Sequence, residues 1–299
     1  MGKASRVKQA SAREKIAAQR AAQRKQEIRN RMFLTIGSIV GVVIIVVAFL
    51  FIKALHKGGP SGGSGGVHGT ALPASVIKDI TSVPAGTLAS IGSGGAYAKT
   101  VSPVSAPALT SAGKPEILYM GAEYCPYCAT ERWAMVQALS RFGTFSGLHG
   151  IHSSSTDVYP STPTLTFLGS HYTSKYLTFT AVETQGLTEG SNLQTPTSAQ
   201  NKLFAKYDYA PYVSASENGA IPFLDIGGKY LIHGAQFNPQ LLQNKTWSEV
   251  AAALSDKSNS IAQGADGAAN ILTAAICKVT NNQPASACTP TITSLEGKL

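Results

Sequence analysis

The sequence predicts an α/β domain built on a mixed sheet, and three stretches carry that prediction. The apolar run Ile117-Leu118-Tyr119-Met120-Gly121 reads as a strand that ends directly before two cysteines at a helix start. Ile221–Ile226 and Lys229–Gly234 flank the turn pair Gly227-Gly228 and read as a hairpin. The last third of the chain carries helical spacing and a capping signature.

Ahead of that domain the chain divides by charge. It has 299 residues and a formal charge of +9, but residues 1–53 hold eleven Lys/Arg and two Glu. Those residues supply the whole excess, and the remaining Lys/Arg and Asp/Glu cancel. A nucleic-acid-binding reading of the domain is thereby excluded. Met32–Ile52 is free of charge and, at about 1.5 Å per residue, long enough to cross a hydrocarbon core of roughly 30 Å. A cleaved signal would have a shorter apolar run and a small-residue cleavage site, and Lys53-Ala54-Leu55-His56-Lys57 is a poor one.

Ten Lys/Arg precede the span, so residues 1–31 are expected as a basic cytoplasmic tail. Residues 32–52 are then one transmembrane helix. The Gly/Ser-rich stretch 53–73 follows as a flexible linker, and 74–299 as an extracytoplasmic domain on a single-pass cell-membrane anchor.

Within the domain, Ala74–Ile91 reads as a helical or irregular lead-in, followed by a Pro- and Ser-rich connector and a strand over Glu116–Gly121. The helix that follows should run from the cysteine motif to about Phe142, burying one face through Trp133, Val136 and Leu139. Pro126 fits its first turn, where a missing N–H has no intrahelical partner to lose. Leu148–Ser153, Thr164–Leu168 and Tyr176–Val182 read as strands, and Thr197–Tyr207 as a helix. Thr246-Trp247-Ser248-Glu249 fits a capping box, and a second helix spans Ile261–Val279.

The chemistry rests on thiols. Cys125 and Cys128 can close a disulfide on themselves, and a helix N-terminus stabilises the thiolate that exchange requires. Zinc would need about four ligands, and the other two cysteines, Cys277 and Cys288, stand eleven residues apart, so no metal site is expected. Cys277 and Cys288 read as a structural disulfide, with a second redox pair as the alternative. His149 and His152 read as loop or surface residues, and Glu123 and Glu131 as solvated carboxylates. Tyr159, Phe167, Tyr172, Tyr176 and Phe179 read as sheet packing rather than a peptide groove. The sequon Asn244-Lys245-Thr246 is discounted because Thr246 already caps a helix.

Ala122-Glu123-Tyr124-Cys125-Pro126-Tyr127-Cys128 resembles the active-site segment of the thioredoxin superfamily, and its Cys-Pro-Tyr-Cys core is similar to that of glutaredoxins. Ile221-Pro222, the hairpin and Gly234 resemble that superfamily's cis-proline loop and last two strands. The segment GAEYCPYCATERWAMVQALSRFGTF is also similar to membrane-anchored, thioredoxin-like prokaryotic proteins of largely unassigned function. The resemblance implies a thioredoxin-like mixed sheet with a helical insertion between Phe145 and about Ala220 and a helical C-terminal extension.

It further implies Cys125 as an exposed nucleophile and Cys128 as the resolving thiol. A cis Pro222 would face the pair, with Tyr124, Tyr127 and Ile221 meeting substrate. One position departs from the pattern: Tyr119 stands where thioredoxins place a buried Asp, which puts reductase behaviour in doubt.

The function expected is therefore a membrane-anchored thiol–disulfide oxidoreductase that forms or isomerises disulfides in exported proteins. It needs no cofactor; its partners are exported thiols or disulfides and a membrane redox protein that recycles the pair. The alternatives are a non-catalytic envelope scaffold with a structural Cys125–Cys128 disulfide, and a thiol carrier for copper or haem assembly.

Overall fold

A computed structural model describes residues 68–97 and 100–299. The basic tail, the apolar span Met32–Ile52 and most of the linker lie outside the described residues. Among the described residues no helix is long and apolar enough to cross a membrane.

Strand β1 (Thr70–Ala71) lies within the stretch assigned to the linker, yet it pairs with Gly150 and His149. The ladder outweighs the local glycine content, so part of the stretch ahead of residue 74 is strand. Helices α1 (Ala74–Thr81) and α2 (Ala85–Ile91) follow, each entered by a proline at its N-cap. The short strands β2 (Val101–Pro103) and β3 (Thr110–Ser111) lead into β4 (Lys114–Gly121). Ala112 and Gly113 have φ of 50° and 74°, the paired positive values that a tight β3–β4 hairpin requires.

Helix α3 (Pro126–Ser140) is followed by β5 (Gly143–Ser146), β6 (His149–His152), β7 (Pro163–Thr166), β8 (His171–Ser174) and β9 (Thr178–Glu183). Then come α4 (Ser198–Tyr207), β10 (Phe223–Ile226) and β11 (Tyr230–His233). Helices α5 (Trp247–Ala253), α6 (Ser260–Val279) and α7 (Pro290–Thr293) close the chain. The Thr246/Glu249 capping box is formed as the sequence predicts, and Thr197/Gln200 makes a second one ahead of α4.

The main sheet runs β2-β11-β10-β4, with β9 parallel to β4 and β10 antiparallel to it. Alternation along β4 serves two cores. Ile117 and Tyr119 join Trp133, Leu224 and Ile232 on the face of α3 and α6. Leu118 and Met120 join Tyr207, Phe223 and Leu231 on the face of α4. Helices on both sides explain why β4 reads as a continuous apolar run rather than an alternating one.

Two readings change here. Helix α3 is buried on all sides, not one, because α6, α1 and β7 pack around it. The expected helical insertion is largely strands: β6 and β7 join β1, from ahead of that interval, in one antiparallel sheet, and β5 and β8 form another. Only α4 in that interval is a helix of the described residues. Both tryptophans fasten this small sheet, Trp133 Nε1 donating to Pro163 O at 2.9 Å and Trp247 Nε1 to Thr164 O at 2.8 Å. Cys277 and Cys288 form a disulfide between the end of α6 and the approach to α7.

Glu131, expected in solvent, is fully buried in α3, where its Oε2 accepts the Gln236 N–H at 2.9 Å. Burial pushes its carboxyl up to about 8, that of Asp225 to about 6, and those of Asp208 and Asp266 to about 7. A carboxyl whose folded-state value is raised contributes stability below its unfolded value and loses it as pH rises through the folded one. His152 and His233 are lowered by burial, so they oppose this only as pH falls below the usual histidine value of 6.5. With Cys125 and Cys128 oxidised, so that the lowered Cys125 thiol does not titrate, the melting temperature is therefore expected to fall between pH 6.5 and about 8. Glu131→Gln should flatten the upper part of that decline; a rising or level wild-type profile would contradict it.

Candidate functional site

β4 ends at Gly121, and Ala122-Glu123-Tyr124 turns the chain into α3. Cys125 is the N-cap of that helix, in extended conformation at φ −74° and ψ 122°, and its Sγ accepts the backbone N–H of Cys128 at 3.3 Å. This is the role Ser or Asp oxygens usually fill, here taken by sulfur. Pro126 occupies the first helical position as the sequence predicts.

Cys125 and Cys128 are free thiols clustered with Ala122, Tyr124 and Ile221. Cys125 is only 5% exposed, against the expectation of an open nucleophile, because Tyr124 and Ile221 pack over it. Cys128 is fully buried. The Ile221–Pro222 bond is cis, and the Ile221 carbonyl accepts from Cys125 Sγ at 3.7 Å.

The two thiols are driven apart electrically. Cys125 is held below the usual thiol value, first by the hydrogen bond from the Cys128 thiol and then by the Cys128 and Tyr127 N–H groups and Arg132; burial opposes them. Burial pushes Cys128 well above that value, and its neighbour's negative charge adds to the shift. One group is thus disposed to ionise and the other to keep its proton.

Below the pair lies a buried ion pair that the sequence reading did not find. Arg132, one helical turn after Cys128, donates from Nε and Nη2 to both oxygens of Glu183 at 2.9 and 2.7 Å, and from Nη2 to Ala122 O at 2.8 Å. Both side chains are fully buried. Glu183 holds Arg132 in its charged form against the cost of burial. The spacing from Cys128 to Arg132 was a usable signal, since residues four apart share a helix face. Its partner was not, because Glu183 is placed by the pairing of Gly121 with Glu183 across β4 and β9.

Glu123, also expected in solvent, is buried, accepting from Thr166 Oγ1 at 2.5 Å and lying 2.6 Å from His68 Nε2. The strands of the small sheet enclose it. Tyr124 meets two loops through its backbone, its N–H donating to Gly186 O and its carbonyl accepting from Ser154 N. Burial pushes its phenol up to about 12. Tyr127 is 40% exposed and lies edge-on to Tyr159 at 5.8 Å. A cavity of about 360 Å³ opens between these loops, lined by Ser153, Ser154, Leu187 and Trp247.

The structure thus brings together Cys125, Cys128, Tyr124, Ile221 and Pro222, with Tyr127 at the rim. Cys277 and Cys288 belong to the main core instead and are already joined to each other. Phe167, Tyr172 and Phe179 pack together with Phe145, while Tyr159 stands apart against Tyr127. His149 meets Gly147 O and His152 packs on Trp247. Among the described residues no group of three or more His, Cys, Asp or Glu could hold a metal ion.

Residues 100–278 match the family described as Domain of unknown function (DUF929). The chain belongs to this family. The matched stretch runs from β2 to the end of α6, so the DUF929 region contains the cysteine motif, Arg132, Glu183 and the cis proline, and Cys277 but not Cys288. No curated protein and no solved structure matches the chain.

Proposed function

We propose that this DUF929 protein is a thiol–disulfide oxidoreductase acting on exported proteins from a membrane tether. The observation that carries the reading is Cys125 at a helix N-cap, favoured as thiolate, touching the carbonyl before a cis proline and stacked on a buried neutral thiol. Strand order supports it. β9, β4, β10 and β11 are neighbours with β9 parallel and β10 antiparallel to β4, which resembles the core arrangement of the thioredoxin fold. The basic tail and apolar span at residues 1–52 support the tether.

In the exchange, a substrate thiolate attacks Cys125 of the Cys125–Cys128 disulfide, and Cys128 leaves as a thiolate that takes up a proton. A second substrate thiolate then attacks the substrate sulfur and releases Cys125, leaving the substrate oxidised by two electrons and the pair reduced. A membrane oxidant of quinone-linked or disulfide class would restore it. Run from a wrong substrate disulfide, with Cys125 attacking first, the same steps isomerise. Tyr119 at the position of the usual carboxylate favours oxidation or isomerisation over reduction. The near-closure of Cys125 favours a second reading, a binding module whose disulfide is structural.

Alkylation separates the two. The reduced full chain should take up iodoacetamide at Cys125 alone, with an inflection below the usual thiol value of 9. An inflection at or above that value, or no disulfide exchange with glutathione, would favour the binding module.

A further inference from the structure

Tyr119 lies in an interior strand of the sheet, between Ala181 of β9 and Leu224 of β10, and its hydroxyl is buried without a hydrogen-bond partner. The guanidinium of Arg132 stands 5.8 Å from its ring centre, and Arg132 Nη1 also lacks a partner. A phenylalanine would fill the same volume without stranding a hydroxyl, so the oxygen destabilises the structure as it stands.

Its neighbour suggests when it acquires a partner. A Cβ built on Gly121 would stand 2.1 Å from Tyr119 Oη and 3.1 Å from Cys128 Sγ. Phenol and thiol therefore converge on the hydrogen-only side of one glycine. The groups that face Cys128 are Cys125 and Arg132 of α3, Tyr119 of β4 and, behind Arg132, Glu183 of β9; Tyr124 adds its phenol from the entry to the helix. Of these, Arg132 is committed to Glu183 and Ala122 through Nε and Nη2, while the Tyr119 hydroxyl is uncommitted.

We infer that Tyr119 is a positioning residue whose hydroxyl donates to Cys128 when that sulfur carries negative charge, with the Arg132–Glu183 pair fixed behind it. This deepens the exchange reading and rests on it. When the Cys128 thiolate attacks a mixed disulfide at Cys125, the Cys125–Cys128 bond forms and the substrate leaves as a thiolate, taking the proton that Cys128 gave up. In the opposite direction Cys128 is the leaving thiolate. The same donor serves both, in place of a carboxylate that would accept the proton.

The test is two-step reaction of the reduced full chain with Ellman's disulfide, followed by release of thionitrobenzoate. Cys125 attack gives the first equivalent and Cys128 attack the second. In Tyr119→Phe the first phase should be unchanged and the melting temperature not lowered. The second phase should slow about tenfold, and its pH inflection should rise by about one unit, as loss of one hydrogen bond to an ionised group implies. Two phases in the wild type with an unaltered second phase in the variant would overturn the inference alone. Absence of either phase in the wild type would overturn the exchange reading and the inference together.

Discussion

Replacing Cys128 with serine should turn the protein into a trap for its own substrates. On the proposed exchange a mixed disulfide at Cys125 is short-lived in the wild type, because Cys128, whose N–H donates to Cys125 Sγ from the same helical turn, attacks from within the molecule. An intramolecular nucleophile works at an effective concentration far above that of thiols in solution. Serine keeps the volume and the backbone N–H that holds Cys125 but cannot attack sulfur, so adduct lifetimes should lengthen at least about a hundredfold. Non-reducing gels of cells expressing Cys128→Ser should show partner-sized adducts that collapse on reduction. Those adducts should vanish in the Cys125→Ser, Cys128→Ser double variant. A Cys128→Ser chain that stays wholly monomeric, at wild-type abundance, would count against exchange.

The second large effect is on stability. Arg132 and Glu183 are both buried and share two hydrogen bonds, so removing either leaves an uncompensated charge in the core. Loss of one partner of a buried pair costs about 3–5 kcal/mol. For a domain of this size that lowers the melting temperature on the order of 10 °C. Arg132→Met should show the full loss, and the double variant Arg132→Met, Glu183→Leu should recover much of it, since a well-packed apolar pair often replaces an ionic one without penalty. The double variant also removes the positive field below the thiols, so its Cys125 should alkylate with a higher pH inflection than the wild type. Equal melting temperatures for wild type and Arg132→Met would show that water reaches the pair.

Much of the architecture was legible because it is locally encoded. Ile117–Gly121, the hairpin at Gly227-Gly228 and the Thr246/Glu249 box each declare themselves within a few residues, and all three are present. Cys277 and Cys288 were pairable because few partners exist. What stayed hidden depends on distant segments meeting. Ordinary burial preferences place Glu123 and Glu131 in solvent, but Thr166, His68 and Gln236 arrive from elsewhere in the chain to receive them. The resemblance implies a helical insertion after α3, whereas the short strands there are secured by Trp133 and Trp247. In the site, the cysteines, Ile221 and Pro222 were visible as residue types, whereas Glu183 took its role only from strand pairing.

That pairing has a consequence of its own. β4 and β9 run side by side with Gly121 opposite Glu183 and Met120 opposite Val182. Successive side chains in a strand point to opposite faces, so a slip of one residue would carry Glu183 through the sheet and put an uncharged neighbour beneath Arg132. There is no intermediate alignment in which the carboxylate is half supplied. The partner of Arg132 is therefore all or none: an insertion or deletion of one residue in β9 would withdraw the carboxylate whole, while substitutions elsewhere along that strand could only weaken the sheet around it.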